Sequence, residues 1–159
     1  MKLYINRDTH NVSARFVVYD DLYREKYTVT ADKKSFKRLK ITTPDGKTAV
    51  KILQLPLPIV QVYSISDFKR NIKFTVKPSG FCADAGFYGV SWHIRGNILS
   101  KSFDIADADN SIIAVHSCAF EKNCCMLEIM NPENELFCLA SAVCANLVSV
   151  TGEKELRPT

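Results

Sequence analysis

No stretch of this 159-residue chain is both long enough and apolar enough to cross a bilayer. The most apolar part, residues 136–150, has fifteen members and includes Ser141, Asn146 and Ser149, whereas a span needs about 20 apolar residues for roughly 30 Å of hydrocarbon. It also lacks the charged face of an interfacial anchor, since Leu136, Val143 and Leu147 are opposed by Cys138, Ala142, Ala145 and Ser149, small rather than charged. The opening stretch carries Lys2, Arg7 and Asp8, which rules out a secretory h-region there and points to the cytoplasm. Glycine is scarce, at six residues, and forms neither a phosphate-binding loop nor a dinucleotide fingerprint. Ser91 in GVSWH is not a G-x-S-x-G elbow, and its context is a strand. Cys124 and Cys125 are adjacent, unlike a C-x-x-C dithiol or a zinc knuckle.

What is present describes one globular domain, residues 1–151, with a short polar tail at 152–159. Hydrophobic residues make up 47% and charged residues 24%, a normal balance for a folded core. Six cysteines without an export signal are expected to be reduced and mostly buried. The net charge of +4 conceals an asymmetry. Residues 1–80 hold 16 Lys and Arg against 7 Asp and Glu, net +9, while residues 81–159 hold 5 against 10.

Alternation with the strand period of two recurs. Ile72, Phe74 and Val76 oppose Lys73, Thr75 and Lys77; Val90, Trp92 and Ile94 oppose Ser91, His93 and Arg95. Phe103 and Ile105 oppose Ser102 and Asp104, and Cys125, Leu127 and Ile129 oppose Met126, Glu128 and Met130. Turn chemistry at 43–46, 77–80, 95–97 and 107–111 separates these half-buried antiparallel strands. The two prolines of QLPLPIV place residues 54–60 at a strand end or bend. The period then changes. Asn131 is a favoured N-cap, Pro132 suits the first helical position, and Glu133 and Glu135 complement the helix dipole. A helix is expected from 132 to about 150, stopped by Gly152.

A helix that is apolar or small all round is a buried one. Among strands, a wide closed barrel can bury a single helix on every side, and about eleven or twelve strands leave room for it. Fifteen helical residues rise about 22 Å, close to the roughly 20 Å of a six-residue strand. The expected fold is therefore mainly β, a closed antiparallel barrel of about twelve strands around a central hydrophobic C-terminal helix.

Residues 89–117, followed by the acidic turn and NELFCLASAVCANLVSV, resemble the LURP-one-related family, including its bacterial YxjI-type members. The likeness rests on the W-x-I-x-G strand at Trp92, Ile94 and Gly96, on the hairpin at Phe103 and Ile105, and on the apolar helix with Glu135, Leu136, Leu139 and Ala140. The opening strands, residues 4–29, extend it over nearly the whole chain. The resemblance implies the tubby C-terminal-like fold, shared with tubby proteins and phospholipid scramblases, and brings no catalytic residues. Scramblase relatives carry a membrane segment after the barrel; none follows here, so lipid scrambling is not expected.

Chemistry-bearing residues are few. Of the three histidines, His10, His93 and His116, only His116 shares a strand face with a cysteine, Cys118. Two ligands do not make a zinc site, so neither a metal nor a cofactor is expected. The basic residues are more suggestive. Lys33, Lys34, Lys37, Arg38 and Lys40 form one group, with Lys47 and Lys51 beyond the next turn, and Lys69, Arg70, Lys73 and Lys77 form another. Their bland reading is a solvated exterior; their functional reading is a face for phosphates. The expectation is a non-enzymatic cytoplasmic binding or scaffold module, peripheral at the membrane where it docks on anionic phospholipid, or else docking on a protein partner. The alternative is a small-ligand carrier or an unrecognised enzyme with a barrel-mouth cavity near Trp92 and His93. Nucleic acid ranks behind both, because the strand aromatics look inward rather than offering stacking platforms.

Overall fold

The computed structural model describes residues 1–7, 14–32, 34, 37–55, 57–79, 82–118 and 124–155. These form twelve strands: β1 (Lys2–Arg7), β2 (Ala14–Tyr19), β3 (Glu25–Ala31), β4 (Arg38–Thr42), β5 (Thr48–Leu55), β6 (Gln61–Ser66), β7 (Asn71–Ser79), β8 (Cys82–Tyr88), β9 (His93–Asn97), β10 (Ser102–Ala106), β11 (Ile112–Cys118) and β12 (Cys124–Ile129). Each pairs antiparallel with its neighbour in sequence, and β12 pairs with β1 to close a barrel. Closure removes both sheet edges, which otherwise would recruit other chains. The helix α1 (Glu135–Glu155) follows a 3-10 turn at Pro132–Asn134.

Alternation sets the inside of the wall. Leu3 and Ile5, Ile41, Val50 and Ile52, Ile72, Phe74 and Val76, and Leu127 and Ile129 all turn inward and are buried. Residues 137–148 of α1 are buried without exception, so the helix fills the barrel as its core. The small residues among them, Ala140, Ala142, Ala145 and Cys144, leave room for Phe74, Tyr63 and the branched side chains of the wall. No described helix is long and apolar enough to cross a membrane.

The helix is fixed where it enters. The Asn131 carboxamide oxygen accepts the Glu133 N–H at 3.0 Å. Glu135 then pairs with Lys26 Nζ at 2.6 Å and accepts the Tyr27 hydroxyl at 3.2 Å, so β3 holds the first turn.

Four local expectations differ from the structure. Val90 lies in a bend and Trp92 in the irregular residue after it rather than in a strand, and β9 begins at His93. Gly89 permits that bend: its φ is +89°, and a Cβ there would lie 2.9 Å from the Asn71 carbonyl oxygen. Residues 95–97 are strand, and the turn comes at 98–101. Gly96 serves close strand approach instead, because a Cβ would lie 3.0 Å from Phe103 Cα directly opposite. Strand β7 runs through Pro78 to Ser79, where proline is tolerated because it stands near a strand end. Helix α1 passes through Gly152 to Glu155, since glycine inside a helix costs only about 1 kcal/mol relative to alanine and stops one only by turning left-handed.

Candidate functional site

On the outside of the barrel, strand register aligns residues that are far apart in sequence. One outward row runs Arg38, Leu53, Ser64, Lys73, Tyr88 across β4 to β8. A second, two residues along, runs Thr30, Lys40, Lys51, Ser66, Asn71 across β3 to β7. Between β3 and β6 this face is concave, with a cavity of about 760 Å³ lined by Thr30, Asp32, Arg38, Lys40, Lys51, Ser64 and Ser66 among others. Among the described residues, three cations and three hydroxyls thus face one groove whose one acid is Asp32. Arg38, Lys40 and Lys51 are exposed, so their charges need no desolvated partner and remain free to meet an anion.

The basic group read from the sequence is divided by the fold. Arg38 and Lys40 line the groove, and Lys73 continues the first row beside Ser64. Lys34 and Lys37 stand before β4, at the edge of the same region; the Lys34 amide is held by Asp32 Oδ1 at 3.0 Å. Lys33 falls outside the described residues. Lys77 is set apart, opposite Asp84 of β8. Lys69 and Arg70 lie in the turn that leaves Ser66, where Asp67 Oδ1 accepts both of their amides at 2.7 Å. Arg70 rests its guanidinium 4.4 Å from the centre of the Phe137 ring, over the helix entrance. Between Asp67 and Lys69, Phe68 is 93% exposed.

Two features escaped the sequence reading. Ser64 and Ser66 belong to the groove, and Lys51, which the sequence sets beyond the next turn, joins Arg38 and Lys40 there, as only register reveals. Nor do all aromatics look inward: Phe68, Tyr23 and Tyr88 are exposed, because they stand in turns or on an outward strand position rather than on core-facing ones.

Inside the wall lies a second cluster. His116, Ser141 and Asn146 are the buried polar side chains among the described residues. Ser141 returns its hydroxyl to the Phe137 carbonyl at 2.7 Å, but His116 and Asn146 meet each other beside two cysteines. His116 Nδ1 lies 2.8 Å from the Lys101 carbonyl oxygen and therefore carries the proton. Its Nε2 faces Asn146 Nδ2 at 3.3 Å. Burial pushes this imidazole down to about 4, so it is neutral near pH 7. Asn146 also donates to the Ala142 carbonyl at 3.0 Å, and its Oδ1 lies 3.5 Å from Cys125 Sγ and 4.0 Å from Cys118 Sγ. Cys118 and Cys125 face each other on β11 and β12 with Cα atoms 4.0 Å apart and are joined by a disulfide. This corrects the expectation of reduced thiols for that pair; Cys124, Cys138 and Cys144 are free. His10 lies outside the described residues.

Near the barrel mouth, Trp92 packs edge-on against Phe87 at 5.8 Å. The His93 ring nitrogen meets Asn110 Oδ1 at 3.0 Å, and Ser91 donates to Asp107 at 2.7 Å. Serine and histidine therefore do not form a nucleophile and base pair here.

A family model described as LURP-one-related matches residues 1–146 of the chain. No curated protein matches it. A protein of Arabidopsis thaliana solved by X-ray crystallography superimposes with a TM-score of 0.60 at 12% identity, over 94% of this chain and 90% of that one. At that identity the likeness concerns the fold.

Proposed function

Starting from a chain that belongs to the LURP-one-related family, we propose a non-enzymatic docking module that holds the phosphates of anionic membrane lipid on the outer face of β3 to β8. The observation that carries this reading is the groove in which Arg38, Lys40 and Lys51 converge beside Ser64, Ser66 and Thr30. Cations neutralise a phosphodiester, and hydroxyls donate to its oxygens. Lipid is favoured over a soluble anion by what adjoins the groove. Ser66 leads directly into the turn that presents Phe68 with Lys69 beside it, and Tyr88 stands exposed next to Lys73. Aromatic side chains flanked by cations suit the boundary between headgroups and acyl chains. Such a protein works at the cytoplasmic surface of a membrane without crossing it. A carrier or enzyme using the barrel mouth draws no comparable support, because Trp92, His93 and Ser91 are each engaged by neighbours.

Co-sedimentation with vesicles tests the proposal. Vesicles of phosphatidylcholine mixed with phosphatidylserine should pellet the protein, vesicles of phosphatidylcholine alone should not, and added salt should weaken the association. At about 1 kcal/mol per cation, the variant carrying Arg38→Ala, Lys40→Ala and Lys51→Ala should lose on the order of 100-fold in partitioning. Equal pelleting with both vesicles, indifference to salt, or no pelleting at all would refute it.

A further inference from the structure

The polar cluster under the wall of β11 and β12 has no part in lipid docking, and an apolar barrel has no need of it. We propose that His116 Nε2, Cys118 Sγ and Cys125 Sγ form a binding site for a thiophilic metal ion, Zn2+ in the first instance, whenever the two cysteines are reduced. The three donor atoms lie within 4.8 Å of one another. Tetrahedral zinc, at about 2.3 Å to sulfur and 2.0 Å to nitrogen, needs its ligand atoms roughly 3.5 Å apart, so small side-chain rotations suffice. Three further observations support a built site. The Lys101 carbonyl takes the proton of Nδ1, which leaves the lone pair on Nε2; Asn146 Nδ2 meets that nitrogen at 3.3 Å, a hydrogen bond that a bound ion would replace, and metal-bound histidines are oriented through their other ring nitrogen in this way. Phe103 stacks on the imidazole at 4.6 Å and fixes its plane. Asn146, held from α1 by the Ala142 carbonyl, presents Oδ1 toward both sulfurs and is placed as a fourth, weaker donor.

Charge also fits. Two thiolates offset the dication, and neutral imidazole and carboxamide add nothing, so the occupied site is neutral where an unpaired charge would be costly. Nitrogen and two soft sulfurs select zinc over magnesium or calcium, which require oxygen.

Disulfide and metal are alternative states of the same two sulfurs. A small dithiol reductant gives two electrons and two protons to the Cys118–Cys125 bond, becomes a cyclic disulfide itself, and leaves two thiols. Zinc then displaces those two protons as it binds the thiolates. The disulfide is the form in this structure, and a reducing compartment would favour the thiol form that takes the metal. The site would occupy the wall between two strands and the plug, joining β11 and β12 to the helix.

Titration of the fully reduced protein with Zn2+, and with Co2+ as a coloured substitute, tests this. One equivalent should bind, with a sulfur-to-cobalt charge-transfer band, and bound Zn2+ should protect Cys118 and Cys125 from alkylation, as mapped by mass spectrometry. The oxidised protein should take up none. Cys118→Ser and His116→Asn should each weaken binding at least tenfold, while Cys124→Ser should bind as the parent does. Should either variant fail to fold, the protection map of the parent still decides. Absence of stoichiometric binding by the reduced parent, protection of other cysteines instead, or unchanged affinity in a folded Cys118→Ser variant would overturn the proposal. Because vesicle pelleting is read separately, failure here leaves the lipid reading to its own test, and the reverse holds as well.

Discussion

Cys138 lies in the second turn of α1, wholly buried, and desolvation pushes its thiol up to about 12. Cys144, one turn and a half later, is shifted in the same direction by the same cause. A thiol whose folded pKa exceeds its unfolded value stabilises the fold fully below the unfolded value, near 9, and this contribution fades as pH rises toward 12. Three units correspond to roughly 4 kcal/mol at the far end of that window. Denaturant unfolding of the parent and of Cys138→Ala between pH 8 and 11 should therefore diverge, the parent losing stability more steeply. A difference between the two that does not change with pH would mean that Cys138 reaches solvent. Asn146 teaches the complementary lesson. A carboxamide in a plug of apolar and small residues must find partners, and those it finds are His116, the Ala142 carbonyl and the two sulfurs.

Among elements, the barrel wall is not uniform. Strands β7 and β8 pair over seven residues, from Lys73 opposite Tyr88 to Ser79 opposite Cys82. Strands β8 and β9 meet at a single register pair, Gly86 with His93. The bend after Gly89 carries the chain across this gap, and Trp92 closes it from inside against Phe87. Local opening follows the distribution of backbone hydrogen bonds. Amide exchange along β9 should accordingly run at least tenfold faster than along β6 and β7, and similar protection on both sides would contradict a thin seam. Helix α1 is secured differently, by side chains: the Glu135 contacts with Lys26 and Tyr27 at the entrance, and Arg70 over Phe137.

For the whole molecule, wall and plug are one core. Strands that meet only sequence neighbours, apart from the final pairing of β12 with β1, form by successive hairpins, but their inner faces have nothing to bury against until α1 enters. Val143, fully buried midway along the plug, is the point to test. Replacing it with Asp puts an unpaired carboxylate where no water or cation reaches, a cost of several kcal/mol against a total stability of about 5–15 kcal/mol. Val143→Asp should yield no cooperatively melting soluble protein by circular dichroism. A variant that melts as sharply as the parent would place the helix outside the barrel.

Periodicity alone determined much. Residues such as Ile72, Phe74 and Val76 announce an inward face because alternation is a local property, and the uncharged run at 136–150 announces a plug because a helix without a polar side has nowhere to lie but inside. Tertiary structure decided the rest. Gly96 looks like a turn in sequence and proves to be a close strand contact, since what a glycine is for depends on what stands opposite. Lys51 joins Arg38 and Lys40, and Cys125 joins His116 and Cys118, through register across strands. Asn146 reaches that cluster because the helix packs against the same wall. The order in which strands close, and therefore which distant side chains share one groove or one pocket, is set by how the backbone hydrogen bonds pair, and no local pattern in a chain encodes that pairing.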